Sequence, residues 1–92
     1  SNGEMILINV PQLTEERRKD LAKQARAEAE HAKVGIRNAR KDGNDEIKKL
    51  EKDGLSEDSA KAVEDTIQEL TIDFTSRVDN ILVAKEADIM KV

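Results

Sequence analysis

Positively charged side chains are the groups in this sequence best placed to do chemistry. Four of them lie in the stretch KVGIRNARKDGND, at Lys33, Arg37, Arg40 and Lys41, and Arg26 lies seven residues before Lys33. On an ideal helix they form one stripe, interrupted only by Glu30, that lies about a quarter turn or more from the apolar residues and is therefore expected on solvent. Few acidic neighbours at i,i+4 are available to Arg37 or Arg40. Because an arginine fork matches phosphate oxygens, the pattern favours a surface for phosphate backbones; a merely solvated face is the alternative.

Other chemistries find little support in the sequence. His31 is the sole histidine and cysteine is absent, so there is no set of nitrogen and sulfur ligands for a metal, and His31 is expected on the surface. Acidic residues of the second half recur on all sides of a predicted helix and single out no acid–base pair. We therefore predict a protein that is not an enzyme and has no cofactor or metal. Since Phe74 is its only aromatic residue, it should recognise the shape and phosphates of a nucleic acid rather than stack on bases.

Charge is distributed unevenly along the 92 residues. The net charge is −4, yet positions 17–52 hold twelve Lys and Arg against seven Asp and Glu, whereas positions 57–91 hold four against nine. A chain that is 39% charged and 37% hydrophobic, with mostly aliphatic apolar residues, is typical of long helices. No apolar run reaches the ~20 residues of a membrane span, and the N-terminus lacks the features of a secretory signal. A length of 92 residues allows one domain at most, and the absence of cysteine is consistent with the reducing cytoplasm.

Two long helices are predicted to position the basic stripe. Thr14 is a suitable N-cap for the first, which should continue to about Asp53. Gly54 suits a left-handed C-terminal cap, and Ser56 can cap a second helix over 57–91. The short connection makes the two helices antiparallel, so the predicted fold class is all-α.

Each predicted helix carries an apolar row with helical spacing. In the first helix the row is Leu21, Ala25, Ala29, Ala32, Ile36, Ala39, Gly43, Ile47 and Leu50. In the second it is Ala60, Val63, Ile67, Leu70, Phe74, Val78 and Ile81. The small residues of the first row, Gly43 among them, let another helix approach closely. Two helices alone leave much of both rows in water, so we expect a third helix or self-association to cover them.

Several specific motifs are spread over the chain, namely PQLTEERRK, RNARKDGND, KKLEK, SED, QELT and AKEADIMKV. Together they resemble the C-terminal portion of bacterial ribosome recycling factors, and the resemblance covers about residues 4–92. It implies a long three-helix bundle with a small β-rich domain inserted between the first and second helices. The apolar, β-branched segment at 4–10 reads as a strand that Pro11 ends.

The resemblance also implies how the chain divides. Residues 1–10 resemble the end of the inserted domain, and residues 14–92 resemble the bundle domain without its first helix. Residues 11–13 resemble a linker, with the hinge at Val10, Pro11, Gln12 and Leu13. We therefore expect the 92 residues to be part of a longer protein and to be inactive alone.

In function, the resemblance implies a translation factor. It would bind the ribosome after termination and, with elongation factor G and its GTP hydrolysis, promote separation of the subunits. Large-subunit ribosomal RNA would be the anionic partner, contacted by Arg18, Arg26, Lys33, Arg37, Arg40 and Lys41. Of these, Arg18 falls off the basic stripe on an ideal helix. The alternative function is a structural helical hairpin or coiled coil that binds other proteins.

Overall fold

Two α-helices make up the part of the chain that the structure describes. The computed structural model describes residues 14–91, in which α1 spans Glu15–Lys52 and α2 spans Glu57–Met90. With 38 and 34 residues, they are roughly 57 and 51 Å long at 1.5 Å per residue. The predicted all-α hairpin is confirmed over these residues. The strand predicted at 4–10 and the hinge predicted at 10–13 lie outside the described residues.

Side-chain caps begin both helices where the sequence predicted. The Thr14 hydroxyl accepts a hydrogen bond from the backbone N–H of Arg17 at 3.0 Å, and the Ser56 hydroxyl accepts one from the N–H of Ser59 at 3.2 Å. Each bond satisfies an N–H that has no partner in the first turn of a helix. Two acidic residues follow each cap, where the helix dipole favours negative charge. Short-range sequence therefore determines where α1 and α2 begin.

A glycine turn reverses the chain between the helices. Gly54 has a φ of +115°, in the left-handed region that favours glycine. Its N–H donates to the carbonyl of Glu51 at 3.1 Å, and the N–H of Leu55 donates to the carbonyl of Leu50 at 2.9 Å. These are the two hydrogen bonds of a Schellman motif, which ends a helix and satisfies its last carbonyls. The predicted cap at Gly54 is confirmed.

The helices pack antiparallel, with a thin line of small and aliphatic side chains between them. Lys33 of α1 contacts Asp79 of α2, and farther from the turn Arg26 contacts Glu86. The hydrophobic residues that are buried in this line are Ala22, Ala29, Ile47 and Ala60. No side chain among residues 14–91 is fully buried, so the helix pair has little core of its own.

At Gly43 the two helices lie close enough together to restrict any side chain at this position. A Cβ built on Gly43 would come within 3.1 Å of Ile67 Cδ1, whereas a Cβ on Gly35 would meet no atom within 4 Å. The packing role predicted for Gly43 is confirmed. Gly35 has no such role among the described residues.

Only one flank of the apolar row predicted for α1 contacts α2. Ala29 and Ile47 are buried, but Ala32, Ala39 and Leu50 remain exposed. The buried residues are centred about 50° from the middle of the predicted row, on the side of the basic stripe. The middle of the row therefore does not face α2. The apolar arc is wide enough for two neighbours, and α2 occupies one of the two positions.

The uncovered flank forms one side of the helix pair, which we call the apolar edge. Shallow grooves between the helices lie along it, lined in part by Ala25, Ala32, Ala39, Leu70, Phe74 and Ile81. Leu70, Phe74 and Ile81 are exposed although they are large and hydrophobic. The prediction that two helices leave much of both apolar rows in water is confirmed for the described residues.

Candidate nucleic-acid interface

Two cations of the basic stripe lie beside α2 and pair with its carboxylates. Arg26 Nη1 lies 2.8 Å from Glu86 Oε2, and Lys33 forms an ion pair with Asp79. Both pairs follow the side of the helix pair opposite the apolar edge, which we call the ion-paired edge. The prediction that the whole stripe lies a quarter turn or more from the core was wrong for Lys33, whose side chain is only 23% exposed. Acidic partners were missed because they come from the other helix, where i,i+4 spacing does not apply.

Arg37 points outward from α1, as predicted. Its Nη2 lies 3.0 Å from Glu30 Oε2, two turns earlier on the same helix, and both side chains are more than half exposed. Ion pairs with this exposure contribute at most about 1 kcal/mol, because water screens them and the long side chains lose entropy. A phosphate group can therefore replace Glu30 at small cost.

Lys41 is the second outward-facing cation of the RNARK motif. It is exposed on α1 and forms no ion pair with any residue of 14–91. Lys48, two turns further along α1, is likewise exposed. Lys41 and Lys48 extend the charge of Arg37 toward the turn, on one side of α1.

Arg40 does not lie on the solvent face where the sequence placed it. It is partly buried and lines a groove between the helices with Ile36, Ile67 and Phe74. On α1 it lies three residues from Arg37, in the row of side chains that faces α2. Its hydrocarbon stem contributes to packing, and the guanidinium is left at the boundary of the helix pair.

Arg18 is separated from the other cations, as the ideal helix predicted. It is partly buried near the start of α1. Its Nε is buried, and among residues 14–91 it finds no acceptor within hydrogen-bonding distance. Of the six predicted contact residues, the structure therefore places Arg26, Lys33 and Arg37 along one side of the helix pair with Lys41. Arg40 lies between the helices and Arg18 lies apart.

The described residues offer no competing chemical site. Among residues 14–91 no three His, Asp or Glu side chains are grouped so as to hold a metal ion. His31 is exposed. Neither α1 nor α2 contains a stretch that is apolar enough, over enough residues, to cross a membrane.

Asp79 and Glu86 are the residues of this surface that sequence reasoning missed, although a signal was present. Arg26 and Lys33 are seven residues apart on α1, and Asp79 and Glu86 are seven residues apart on α2. Seven residues are close to two helical turns, so an antiparallel alignment that matches one pair also matches the other. The capped turn at Gly54 sets that alignment.

Comparison with known proteins gives one family. A sequence model described as "Ribosome recycling factor" matches residues 1–90 of the chain. The chain is 61% identical to the ribosome-recycling factor of Flavobacterium psychrophilum and 61% identical to that of Flavobacterium johnsoniae, each over 100% of this chain and 49% of the relative. It is 51% identical to the ribosome-recycling factor of Bacteroides fragilis over 100% of this chain and 50% of the relative. The chain thus spans about half the length of the curated relatives it matches.

Proposed function

The chain belongs to the ribosome recycling factor family, and on that premise we propose that it acts as a translation factor on the post-termination ribosome. As part of such a factor, and with elongation factor G, it promotes separation of the ribosomal subunits in the cytoplasm; the 92 residues by themselves are expected to be inactive. Its contribution is binding and not catalysis, and it requires no cofactor or metal. The partner of the basic stripe is large-subunit ribosomal RNA.

The observation that carries this proposal is the position of Arg37 and Lys41. Both side chains extend into solvent from the same side of α1, and neither is held by α2. Backbone phosphates need cations that can reach them without unfolding the protein, and guanidinium and ammonium groups on an exposed helix face meet that need. Arg40 contributes from between the helices, where it lines a groove of the apolar edge and its guanidinium has no carboxylate partner among residues 14–91.

RNA recognition by this surface depends on shape and phosphate positions. Phe74 is the only aromatic side chain, and it lines a groove between the helices instead of standing beside Arg37 and Lys41. The guanidinium of Arg77 lies over its ring, 5.0 Å from the centroid. Without an aromatic platform near the exposed cations, stacking on unpaired bases is not available to them.

Ribosome pelleting across a salt series tests the proposal. We expect Arg37→Ala and Lys41→Ala to weaken binding by roughly 1–3 kcal/mol each, since each removes a charge-assisted contact. Each lost phosphate contact should also reduce the slope of log K against log salt by about 0.7–0.9. Arg77→Ala is the matched control, because it also removes an exposed arginine that is paired within its own helix, with Asp73 at 3.0 Å, but Arg77 lies on α2 beside Phe74 and not beside Arg37 and Lys41. It should leave ribosome binding unchanged.

Arg40 needs a stability measurement beside the binding measurement. Because its stem packs between the helices, Arg40→Ala should lower both ribosome affinity and the melting temperature. Arg40→Lys should restore much of the packing but only part of the affinity, since lysine loses the planar fork. If Arg37→Ala, Lys41→Ala and Arg40→Ala all bind ribosomes like the parent protein, the cations form only a solvated face and the assignment of this surface is wrong.

A further inference from the structure

We infer that Asp79 and Glu86 of α2 form a built-in counter-charge that limits how strongly the ion-paired edge holds RNA. This inference rests on the proposed function, because it concerns the affinity of the same surface. The two carboxylates compete with phosphate for Lys33 and Arg26 and repel phosphates that approach their neighbours. They therefore set an upper limit on ribosome affinity.

The contacts show that these cations already have anionic partners. Arg26 Nη1 is 2.8 Å from Glu86 Oε2, and Lys33 is paired with Asp79. A phosphate that engages either cation must displace the carboxylate or share the cation with it. Arg37 differs, because its carboxylate partner belongs to the same helix and both groups are well exposed.

The pairs also follow from the fold and not from a chance side-chain position. The spacing of seven residues on each helix places both carboxylates on one side of α2, facing the cations of α1. α2 is the acidic half of the molecule, with nine Asp and Glu against four Lys and Arg over positions 57–91. Most of that acidity faces water, whereas Asp79 and Glu86 are directed at the basic helix.

Carboxylates this close to an RNA surface oppose binding in two ways. Each carboxylate neutralises one cation, and a neutralised cation releases fewer counterions from RNA on binding. Each also repels nearby phosphates, and at a distance of several ångströms in water this repulsion is enough to change affinity a few-fold. A recycling factor must leave the ribosome after each round, and a limited affinity permits that release.

The experiment replaces each carboxylate by its neutral amide and measures binding to purified ribosomes across a salt series. We expect Asp79→Asn and Glu86→Gln each to tighten binding about three- to fivefold at low salt. Each should also steepen the slope of log K against log salt by up to about 0.7–0.9, because one more cation becomes available to phosphate. The double variant should approach the product of the two effects.

Asp73→Asn is the matched control. Asp73 and Asp79 lie on the same helix, are 51% and 50% exposed, and are each paired with a cation. The substitution changes the net charge from −4 to −3, as Asp79→Asn does. Asp73, however, pairs with Arg77 of its own helix, and six residues of helix place it about 120° from Asp79. Its neutralisation should change ribosome affinity by less than about twofold.

Three results would overturn the inference alone, and a fourth would overturn the proposed function with it. If Asp79→Asn and Glu86→Gln leave binding unchanged while Arg37→Ala weakens it, the counter-charge has no effect but the proposed function stands. If Asp73→Asn tightens binding as much as Asp79→Asn, only net charge matters. If the amide variants bind more weakly with unchanged circular dichroism, the carboxylates hold the cations in position instead of competing for them. Loss of every effect, that of Arg37→Ala included, would reject the proposed function as well.

Discussion

The apolar edge and the ion-paired edge belong to the same two helices but differ in what they need from their surroundings. Along the apolar edge, Leu70, Phe74 and Ile81 are exposed beside a row of alanines. Along the ion-paired edge, polar groups of α1 already meet polar groups of α2. Water is a poor solvent for the first edge and a good one for the second. Contact between α1 and α2 therefore pairs the polar groups of the ion-paired edge but leaves the apolar edge exposed to water.

This difference separates two kinds of binding on one small molecule. An apolar partner gains free energy by removing the apolar edge from water, roughly in proportion to the area covered. An anionic partner gains mainly from cations on the other side, and that gain falls as salt rises. Salt dependence is thus the property that distinguishes the two edges.

The largest effect is expected at the apolar edge. We predict that two copies of the chain associate through it, because exposed apolar rows of this length favour association. Ile81→Glu should weaken this association at least about tenfold, since it would replace an apolar contact by a charge that must be removed from water. Light scattering over a range of micromolar concentrations measures the effect.

Ile72→Glu is the control for Ile81→Glu. Ile72 and Ile81 are 60% and 68% exposed and lie on the same helix, but only Ile81 lines a groove of the apolar edge. Ile72→Glu should leave association unchanged. A compact monomer with a melting temperature independent of concentration, or equal effects of the two substitutions, would contradict the assignment of the apolar edge.

A smaller effect is expected from substituting Gly35 and Gly43 by alanine, which tests how closely the two helices pack. Gly35→Ala should stabilise the protein by about 0.8–1.0 kcal/mol, because alanine is a better helix former and its methyl group would enter open space. Gly43→Ala should gain less or nothing, since its methyl group would lie 3.1 Å from Ile67 Cδ1. Urea unfolding of both variants measures the difference. Equal stabilisation would mean that the helices separate easily at Gly43.

The smallest effect is expected at the ion-paired edge. A double-mutant cycle of Arg26→Ala and Glu86→Ala should give a coupling free energy of about 0.2–1 kcal/mol, typical of an exposed ion pair. The coupling should decrease with added salt, whereas the effect of Ile81→Glu on association should not. A coupling well above this range would indicate that the ion pairs, and not the apolar contacts, hold α1 against α2.

Local features of this fold could be read from the sequence, and the orientation of α1 could not. The caps at Thr14 and Ser56 and the left-handed Gly54 each depend on neighbours within a few residues. Arg40 was misplaced for a different reason. A helical wheel gives the centre of the whole apolar arc, but it does not divide that arc between neighbours, and α2 occupies the part next to Arg40.

The ion pairs with Asp79 and Glu86 could not be found by searching along one helix. Their partners are brought together only when the turn aligns α1 with α2, so they depend on the hairpin as a whole. The outward position of Arg37 was predicted, because it lies well away from the arc that either neighbour could cover. Positions at the boundary between two faces are the ones that sequence periodicity leaves undecided.

The Schellman turn at Gly54 also orders how the hairpin forms. Every contact between α1 and α2 closes a loop through this turn, and the loop lengthens from the contact of Gly43 with Ile67 to that of Arg26 with Glu86, which are 60 residues apart. Each doubling of a loop adds about 0.6 kcal/mol to the entropy of closing it. Loop entropy therefore favours pairing that begins at the turn, and we expect the end that carries Arg26 to close last and open first.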